Sequence, residues 1–329
     1  MKHEKLSWQA LDLDLVAATD AIVERLRRTT AHVLHRRGLV VAISGGIDSS
    51  VCAALATRAV GPGRVFALIL PETDSSDDSA ARGLELAEHL GVAYAVLDIA
   101  PTLREIGCYA WRDAAVRRVI PEYDERWQLK IAIAGGLQGQ VNRFRVIAKA
   151  PDGGMRDEAL GLQEYLEVVA ATNFKQRVRK TVEYFHADRL NYAVVGTPNR
   201  LEYDQGFFVK NGDGAADVKP IAHLYKTQVY AMASHLGLPP AICGATPTTD
   251  TYSLPQGQDE FYFALPYREM DLALWALNHQ VAAAELAGLL DISAEHAERI
   301  YQDILNKRRT TQYLHRRPVL LEDVAEISV

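Results

Sequence analysis

Residues 39–50 constrain this chain more than any other stretch. Leu39-Val40-Val41-Ala42-Ile43 is a short apolar run rich in β-branched side chains, with no polar position that could face water. Such a run fits a parallel strand buried on both faces. It passes straight into Ser44-Gly45-Gly46-Ile47-Asp48-Ser49-Ser50, and from Ser49 to Val60 the apolar residues return at helical spacing. The paired glycines let the backbone turn tightly and keep side chains away from a ligand. Serine hydroxyls and helix N-terminal amides then face outward and favour an anion. In an open parallel sheet, ligands bind at the carboxyl ends of the strands, where this loop falls. A glycine-rich turn capped by Asp48 or Ser49 is the simpler reading; the order of strand, Ser-Gly-Gly-X-Asp-Ser and helix favours a phosphate loop. No Lys follows the glycines and there is no Gly-X-Gly-X-X-Gly, so neither the Walker loop nor the dinucleotide fingerprint applies.

The flanking chain repeats the rhythm. Trp8 to Arg37 carries apolar residues at helical spacing, as one long or two short helices ended by Gly38. Val65–Leu70 and Tyr94–Ile99 read as further strands, with a helix over Ser79–Leu90 stopped by Gly91. This alternation predicts βαβ units with right-handed crossovers and a doubly wound, mostly parallel α/β sheet with helices on both faces. From Trp111 to about Leu166 the rhythm breaks. Lys130–Ala134 and Val141–Ile147, flanked by Gly135-Gly136 and Pro151-Asp152-Gly153-Gly154, predict a β-hairpin between helical pieces. A helix over Leu166–Asp188, a strand over Tyr192–Val195 and a helix over Leu224–Leu236 follow, and the remainder reads as helical with Pro-rich loops.

Composition narrows the class. With 329 residues, 48% hydrophobic, and a net charge of -6, the chain can bury a sizeable core and does not suit a generic nucleic-acid binder. No apolar run approaches the roughly 20 residues that span a bilayer. Cys52, Cys108 and Cys243 are far apart and show neither metal spacing nor a disulfide framework; with no signal-peptide core, the expected location is cytoplasmic.

The loop Ser44-Gly45-Gly46-Ile47-Asp48-Ser49 resembles the pyrophosphate loop of the N-type ATP pyrophosphatases, which adenylate a substrate by cleaving ATP between the α- and β-phosphates. The second half of the chain selects a family. Gly196-Thr197-Pro198-Asn199-Arg200-Leu201-Glu202, Gly206-Phe207-Phe208-Val209-Lys210-Asn211-Gly212-Asp213-Gly214-Ala215-Ala216-Asp217, Lys226-Thr227-Gln228 and Asn173-Phe174-Lys175-Gln176-Arg177-Val178-Arg179 resemble the blocks of ammonia-dependent NAD synthases, in order and at similar spacing. The resemblance covers roughly residues 35–110 and 168–310. It implies the adenine nucleotide alpha hydrolase-like fold over a single domain spanning 1–329, with residues 111–166 inserted in it.

The same resemblance implies roles. Ser44, Gly45, Gly46, Ile47, Asp48, Ser49, Thr197, Lys226 and Thr248 would bind ATP. Asp48, Glu202 and Asp213 would hold Mg2+, which suits hard carboxylate oxygens. Asn173, Arg177, Phe207, Lys210 and Asp217 would bind nicotinic acid adenine dinucleotide, with Phe207 as a platform for the pyridine ring. Asp48, Lys226, Asp213 and Asp217 form the expected catalytic set: Lys226 stabilises charge growing at phosphorus, and Asp217 takes up the ammonium. A buried Phe207 or Phe208, a surface Lys226 and a turn-closing Asp217 are the structural alternatives. With about forty residues and no cysteine ahead of the phosphate loop, no glutaminase domain is expected. Free ammonia, or ammonia from a separate protein, would then be the nitrogen source. The family also implies a homodimer.

The chain departs from the family pattern in three places. The 111–166 stretch is longer, Leu201 precedes Glu202 where a small or polar residue is usual, and Asn306 opens the basic segment Asn306-Lys307-Arg308-Arg309 where His is common. The longer stretch motivates a second reading, a paralogous amide ligase acting on another carboxylate; a third, a non-catalytic nucleotide-binding protein, has the intact set of Asp48, Glu202, Asp213 and Lys226 against it. A tRNA-modifying pyrophosphatase is weaker still, because no RNA-binding module is recognisable.

Overall fold

The computed structural model describes residues 6–134, 143–245, 252–255, 257, 262–263, 265–322 and 324–325. After a 3-10 turn at Trp8–Leu11, the elements run α1 Leu15–Arg28, β1 Leu39–Ala42, α2 Ile47–Val60, β2 Val65–Ile69, α3 Asp77–Leu90, β3 Ala93–Val96, α4 Ala100–Glu105 and α5 Cys108–Arg117. Then follow β4 Gln128–Ala134, β5 Arg143–Lys149, β6 Met155–Ala159, α6 Leu162–Leu190, β7 Ala193–Val195, α7 Arg200–Gln205, α8 Lys226–His235, α9 Pro240–Cys243, α10 Tyr267–Asn278, α11 Ala283–Leu290 and α12 Ala294–His315.

The main sheet is parallel in the order β3-β2-β1-β7, with Val40 level with Phe66 on one side and Val194 on the other. Its period of two sorts the side chains into two cores. Leu39, Val41, Val65, Ala67, Ala193 and Val195 face a cluster shared with α1, α2, α8 and α9. Val40, Leu68 and Val194 face the opposite cluster, with Leu103 of α4 and Ala171 and Ala187 of α6. Burial on both faces explains why β1, β2 and β7 read as uninterrupted apolar runs, while β3 at the sheet edge is largely exposed. The chain steps outward from β1 to β2 and β3, then returns to add β7 on the other side of β1. The loops leaving β1 and β7 therefore border the crevice where the strand order reverses.

The third strand is shorter than predicted. Leu97 and Ile99 still donate to Ile69 and Pro71, but the Asp98 carboxylate takes the Ala100 amide and starts α4. The predicted hairpin is present as β4 and β5, in antiparallel register from Gln128↔Lys149 to Ala134↔Arg143. The structure adds β6 beside β5, which the sequence pattern did not reveal. All five β6 residues are exposed, so Met155-Arg156-Asp157-Glu158-Ala159 carries no alternation to read. This smaller sheet has its own core, in which Leu129, Ile131, Val146 and Ala148 pack with Val116 of α5 and Val168 of α6. A further cluster joins α10, α11 and α12 to Leu11 and Leu201. The cysteines are all free thiols, with Cys52 and Cys108 buried. No helix among the described residues is long and apolar enough to cross a membrane.

Candidate active site

The residues 44–50 form the expected loop between β1 and α2. Gly45 adopts φ +74°, and a Cβ there would lie 2.3 Å from the Ser79 carbonyl oxygen, so the turn excludes any side chain. Gly46 is the N-cap of α2 and has no side chain with which to cap it. The first-turn amides of α2 are thus directed to the cavity rather than to a cap. Hydroxyls hold the loop in shape: Ser44 Oγ lies 3.2 Å from Ser49 Oγ, and Ser50 Oγ donates to the Gly46 carbonyl at 2.8 Å. Arg82 of α3 clamps it, donating through Nε to the Gly45 carbonyl at 3.1 Å.

Across the switch crevice stands a wall built from the loop after β7. Asn199 caps α7 in a reciprocal box: its side chain accepts from the Glu202 amide at 3.2 Å, and its own amide donates to Glu202 Oε2 at 3.1 Å. The remaining half of the Asn199 amide group donates to Asp48 Oδ1 at 3.0 Å. The other Asp48 oxygen takes the Lys226 ammonium, which is almost fully buried. Burial alone would lower the pKa of Lys226, but the carboxylates of Asp48 and Glu202 outweigh it and hold the pKa above the ordinary range. Asp48, Asn199, Glu202 and Lys226 come from three separate stretches of sequence and meet at the mouth of the phosphate loop. Their arrangement permits a cation to face anionic phosphates beside a pair of hard carboxylate ligands.

This wall bounds a cavity of about 740 Å³. Lining it are Ser44, Gly45, Gly46, Ile47, Asp48, Ser49, Thr197, Glu202 and Lys226, which were expected to bind ATP or metal, and Asn173, Arg177, Phe207, Lys210 and Asp213, expected to bind substrate or metal. Phe207 also packs on Tyr262 and Phe263, at centroid distances of 4.7 and 5.5 Å. Phe208 stacks on Tyr203 and meets His315 edge-on. Lys210 lines the cavity but spends its ammonium on the carbonyls of Tyr313 and Arg316, at 3.0 and 3.1 Å. Thr248 lies outside the described residues.

Two expectations change on this geometry. Asp217 is exposed and is not brought to the cavity. Its carboxylate accepts from the Val194 amide at 2.7 Å, so it closes the open edge of β7, as a turn-closing aspartate does. Asp213 does line the cavity, yet one carboxylate oxygen accepts from the Val209 amide at 2.7 Å and orders the glycine-rich loop. Burial raises its pKa, against the pull of the Val209 amide and of Lys180. It does not join Asp48 and Glu202: among the described residues, no group of three or more His, Cys, Asp or Glu side chains converges on one point. The donor set that fits magnesium is therefore Asp48 with Glu202, since this ion takes one or two carboxylates and completes its shell with water and substrate phosphates.

Three residues that line or support the cavity carry no assigned role in the sequence motifs: Asn199, Arg82 and Arg179. Asn199 could have been found from the Asn-X-X-Glu spacing of a capping box. Arg82 and Arg179 line the cavity, and Arg179 holds the loop after β2 through the Leu70 carbonyl and Ser75. Arg179 closes the Asn173–Arg179 block, but its partner loop, like that of Arg82, is remote in sequence and so left no trace of the contact. Lys307 and Arg308 are engaged within the fold, on Asp303 and Asp204 respectively.

Fold and site together define the class: an α/β nucleotide-binding protein of the adenine nucleotide alpha hydrolase-like type, with a glycine phosphate loop set beside a lysine and two carboxylates. The chain belongs to the NAD synthase family, whose model matches residues 18–118 and 128–315. The NH(3)-dependent NAD(+) synthetase of Rhizobium meliloti is 52% identical over 322 residues, covering 98% of this chain and 96% of that protein. That of Thermotoga maritima is 41% identical over 245 residues, covering 74% and 80%. Among solved structures, the NMN synthetase from Francisella tularensis superposes with a TM-score of 0.65 at 22% identity, covering 94% of this chain and 99% of that one. The NH3-dependent NAD synthetase from Campylobacter jejuni, in complex with the nitrate ion, gives 0.59 at 21% identity, covering 94% and 100%. At such identities these structures speak for the fold.

Proposed function

We propose that the chain is an ammonia-dependent NAD synthase, amidating nicotinic acid adenine dinucleotide with ATP as co-substrate. The observation that carries this reading is the meeting of Asp48, Asn199, Glu202 and Lys226 at the phosphate loop, in a chain that shares 52% identity with a relative of that name. In the first step a nicotinate oxygen attacks the α-phosphorus, the bond to the bridging oxygen breaks, and pyrophosphate leaves. The loop amides of α2 and the serine hydroxyls take the departing phosphates, and Lys226 faces the charge that gathers at phosphorus. Magnesium, held by Asp48 and Glu202, would neutralise phosphate charge. In the second step ammonia attacks the acyl carbon and AMP leaves, carrying off the activated oxygen. Phe207, Asn173 and Arg177, which line the same cavity, supply an aromatic face, an amide and a cation for the dinucleotide.

We extend the reading to a homodimer and a cytoplasmic enzyme. Supporting the dimer, Leu162, Leu166 and Ala170 form an exposed stripe along α6 that runs to Phe174, against which Trp111 of α5 packs edge-on. Leu162 is 70% and Leu166 53% exposed, and contiguous exposed apolar side chains are the kind of surface that protein contacts use. Supporting the cytoplasm, the three cysteines stay free thiols.

The decisive assay combines the protein with ATP, magnesium, ammonia and nicotinic acid adenine dinucleotide, and follows NAD and pyrophosphate together. Equal amounts of both are expected. Pyrophosphate release with other carboxylates but no NAD would transfer the chain to the paralogous amide ligases, and nucleotide binding with no pyrophosphate at all would make it a binding protein. Sedimentation of Leu166→Glu tests the dimer, with a monomer as the expected outcome.

A further inference from the structure

Lys226 is the first residue of α8, and helix starts carry amides with no partner inside the helix. Here two of them, from Lys226 and Thr227, both reach one carboxylate. Lys226 N–H donates to Asp271 Oδ1 at 3.1 Å and Thr227 N–H to Asp271 Oδ2 at 2.7 Å. Asp271 lies on α10, is wholly buried, and belongs to a helix whose Met270, Leu272, Ala273 and Leu274 pack into the α10–α12 cluster. The residue before Lys226, Tyr225, is extended and its own amide goes to Gln228. The bidentate grip therefore fixes the peptide on each side of the Lys226 Cα, at the point where the main chain turns into α8.

Keeping a carboxyl there is costly. Burial pushes the Asp271 carboxyl up to about 7, against the pull of the Thr227 and Lys226 amides. A helix start on a protein surface can be capped by a serine or threonine at the preceding position. This one instead takes its cap from a helix 45 residues further on. The consequence is mechanical: where the lysine backbone sits, relative to the phosphate loop, depends on how α10 packs.

We propose that Asp271 is a positioning residue for adenylation: it caps α8 from the C-terminal helical cluster and so aims the Lys226 ammonium at the reacting phosphate. The inference rests on the role assigned above to Lys226. Cationic stabilisation of a phosphoryl transition state falls steeply with misplacement, so a slack backbone at Lys226 lowers the rate of the chemical step more than it weakens ATP binding.

A double-mutant cycle tests it in the full-length protein, using Asp271→Asn, Lys226→Ala and the pair, with NAD formation as the readout and circular dichroism with thermal melting to report folding. Asp271→Asn keeps the shape but aims an N–H at one of the helix amides. Its kcat is expected to fall about 10- to 100-fold, the scale of one or two charge-assisted hydrogen bonds, with KM for ATP shifting less than about threefold. In the Lys226→Ala background the same change should cost almost nothing further. Asp271→Ala, which removes the acceptor without adding a donor, should behave alike. Equal losses of activity from Asp271→Asn with and without Lys226 would overturn the proposal and leave Asp271 as a stabilising cap. So would two unfolded Asp271 variants. Full activity of Lys226→Ala would instead reject the role of the lysine itself.

Discussion

Around Lys226, polar partners come from far away in the chain. The ammonium answers to Asp48, 178 residues earlier, and Asn199 reaches Asp48 across 151. In the β4–β6 sheet the two ladders join near neighbours, with Arg145 on Asp157 only 12 residues on, and the long-range bonds of β4 go to the segment at Ser253 and Leu254. The two regions also differ in what they bury. The wall hides charge, the Lys226 ammonium against the Asp48 carboxylate, whereas the small sheet hides Leu129, Ile131, Val146 and Ala148 and leaves its ion pairs at the surface, where each contributes little. A region assembled from distant polar contacts is committed to one geometry and one chemistry. A region assembled from local pairing and an apolar core contributes stability and tolerates surface change.

That contrast can be broken first at the wall. Lys226→Ala is expected to lower kcat for NAD formation by about 10²- to 10³-fold, the scale for removal of a preorganised transition-state donor. Steady-state kinetics at saturating ATP would check it, and a loss under tenfold would detach the lysine from the chemistry. Gly45→Ala comes next. The new Cβ would meet the Ser79 carbonyl oxygen at 2.3 Å, on backbone of positive φ, so the loop must shift. A loss of about 1–3 kcal/mol in stability is expected, together with a raised KM for ATP, from melting curves and initial rates.

The small sheet supplies the opposite outcome. Leu129→Ala empties a fully buried site and should cost about 2–5 kcal/mol, read by denaturant unfolding, while kcat per folded molecule stays within about twofold. A fall in kcat as deep as that of the lysine variant would erase the distinction between the two regions. The smallest effect is a pH dependence on the far face of the main sheet. Burial and the Arg189 guanidinium hold His186 below its ordinary value near 6.5, and Arg189 donates to the Nδ1 that a proton would occupy. Below pH 6.5 the unfolded chain therefore binds more protons at this site than the folded one. The stability His186 contributes is present above 6.5 and declines as the pH falls toward its lower folded value. Replacing it with Phe, which can stack on Phe66 as the imidazole does, should flatten that decline in melting temperature without altering activity.

The parallel sheet was legible because burial on both faces leaves its mark on every residue of a strand, as in Leu39–Ile43. The hairpin strands β4 and β5 were legible from their flanking turns, whereas β6, exposed throughout and rich in charge, left no periodicity. At the site, residues carried by an unbroken motif were readable, and the phosphate loop lines the cavity as expected. Asp217 and Asp213 sit in the same glycine-rich block, but only three-dimensional placement separates the one that closes β7 from the one that orders the loop.

The amino-acid order alone determined the phosphate turn, since a strand-ending Ser-Gly-Gly-X-Asp-Ser has few backbone solutions, and it determined the strands that tertiary burial would favour. The folded structure decided which charges meet. Asp48, Asn199, Lys226 and Asp271 lie on segments tens to hundreds of residues apart, and they converge because the chain adds β7 beside β1 and packs α10 against α8. Electrostatic pairing depends on separation in space, and spacing along the chain carries no record of that distance until the sheet has closed.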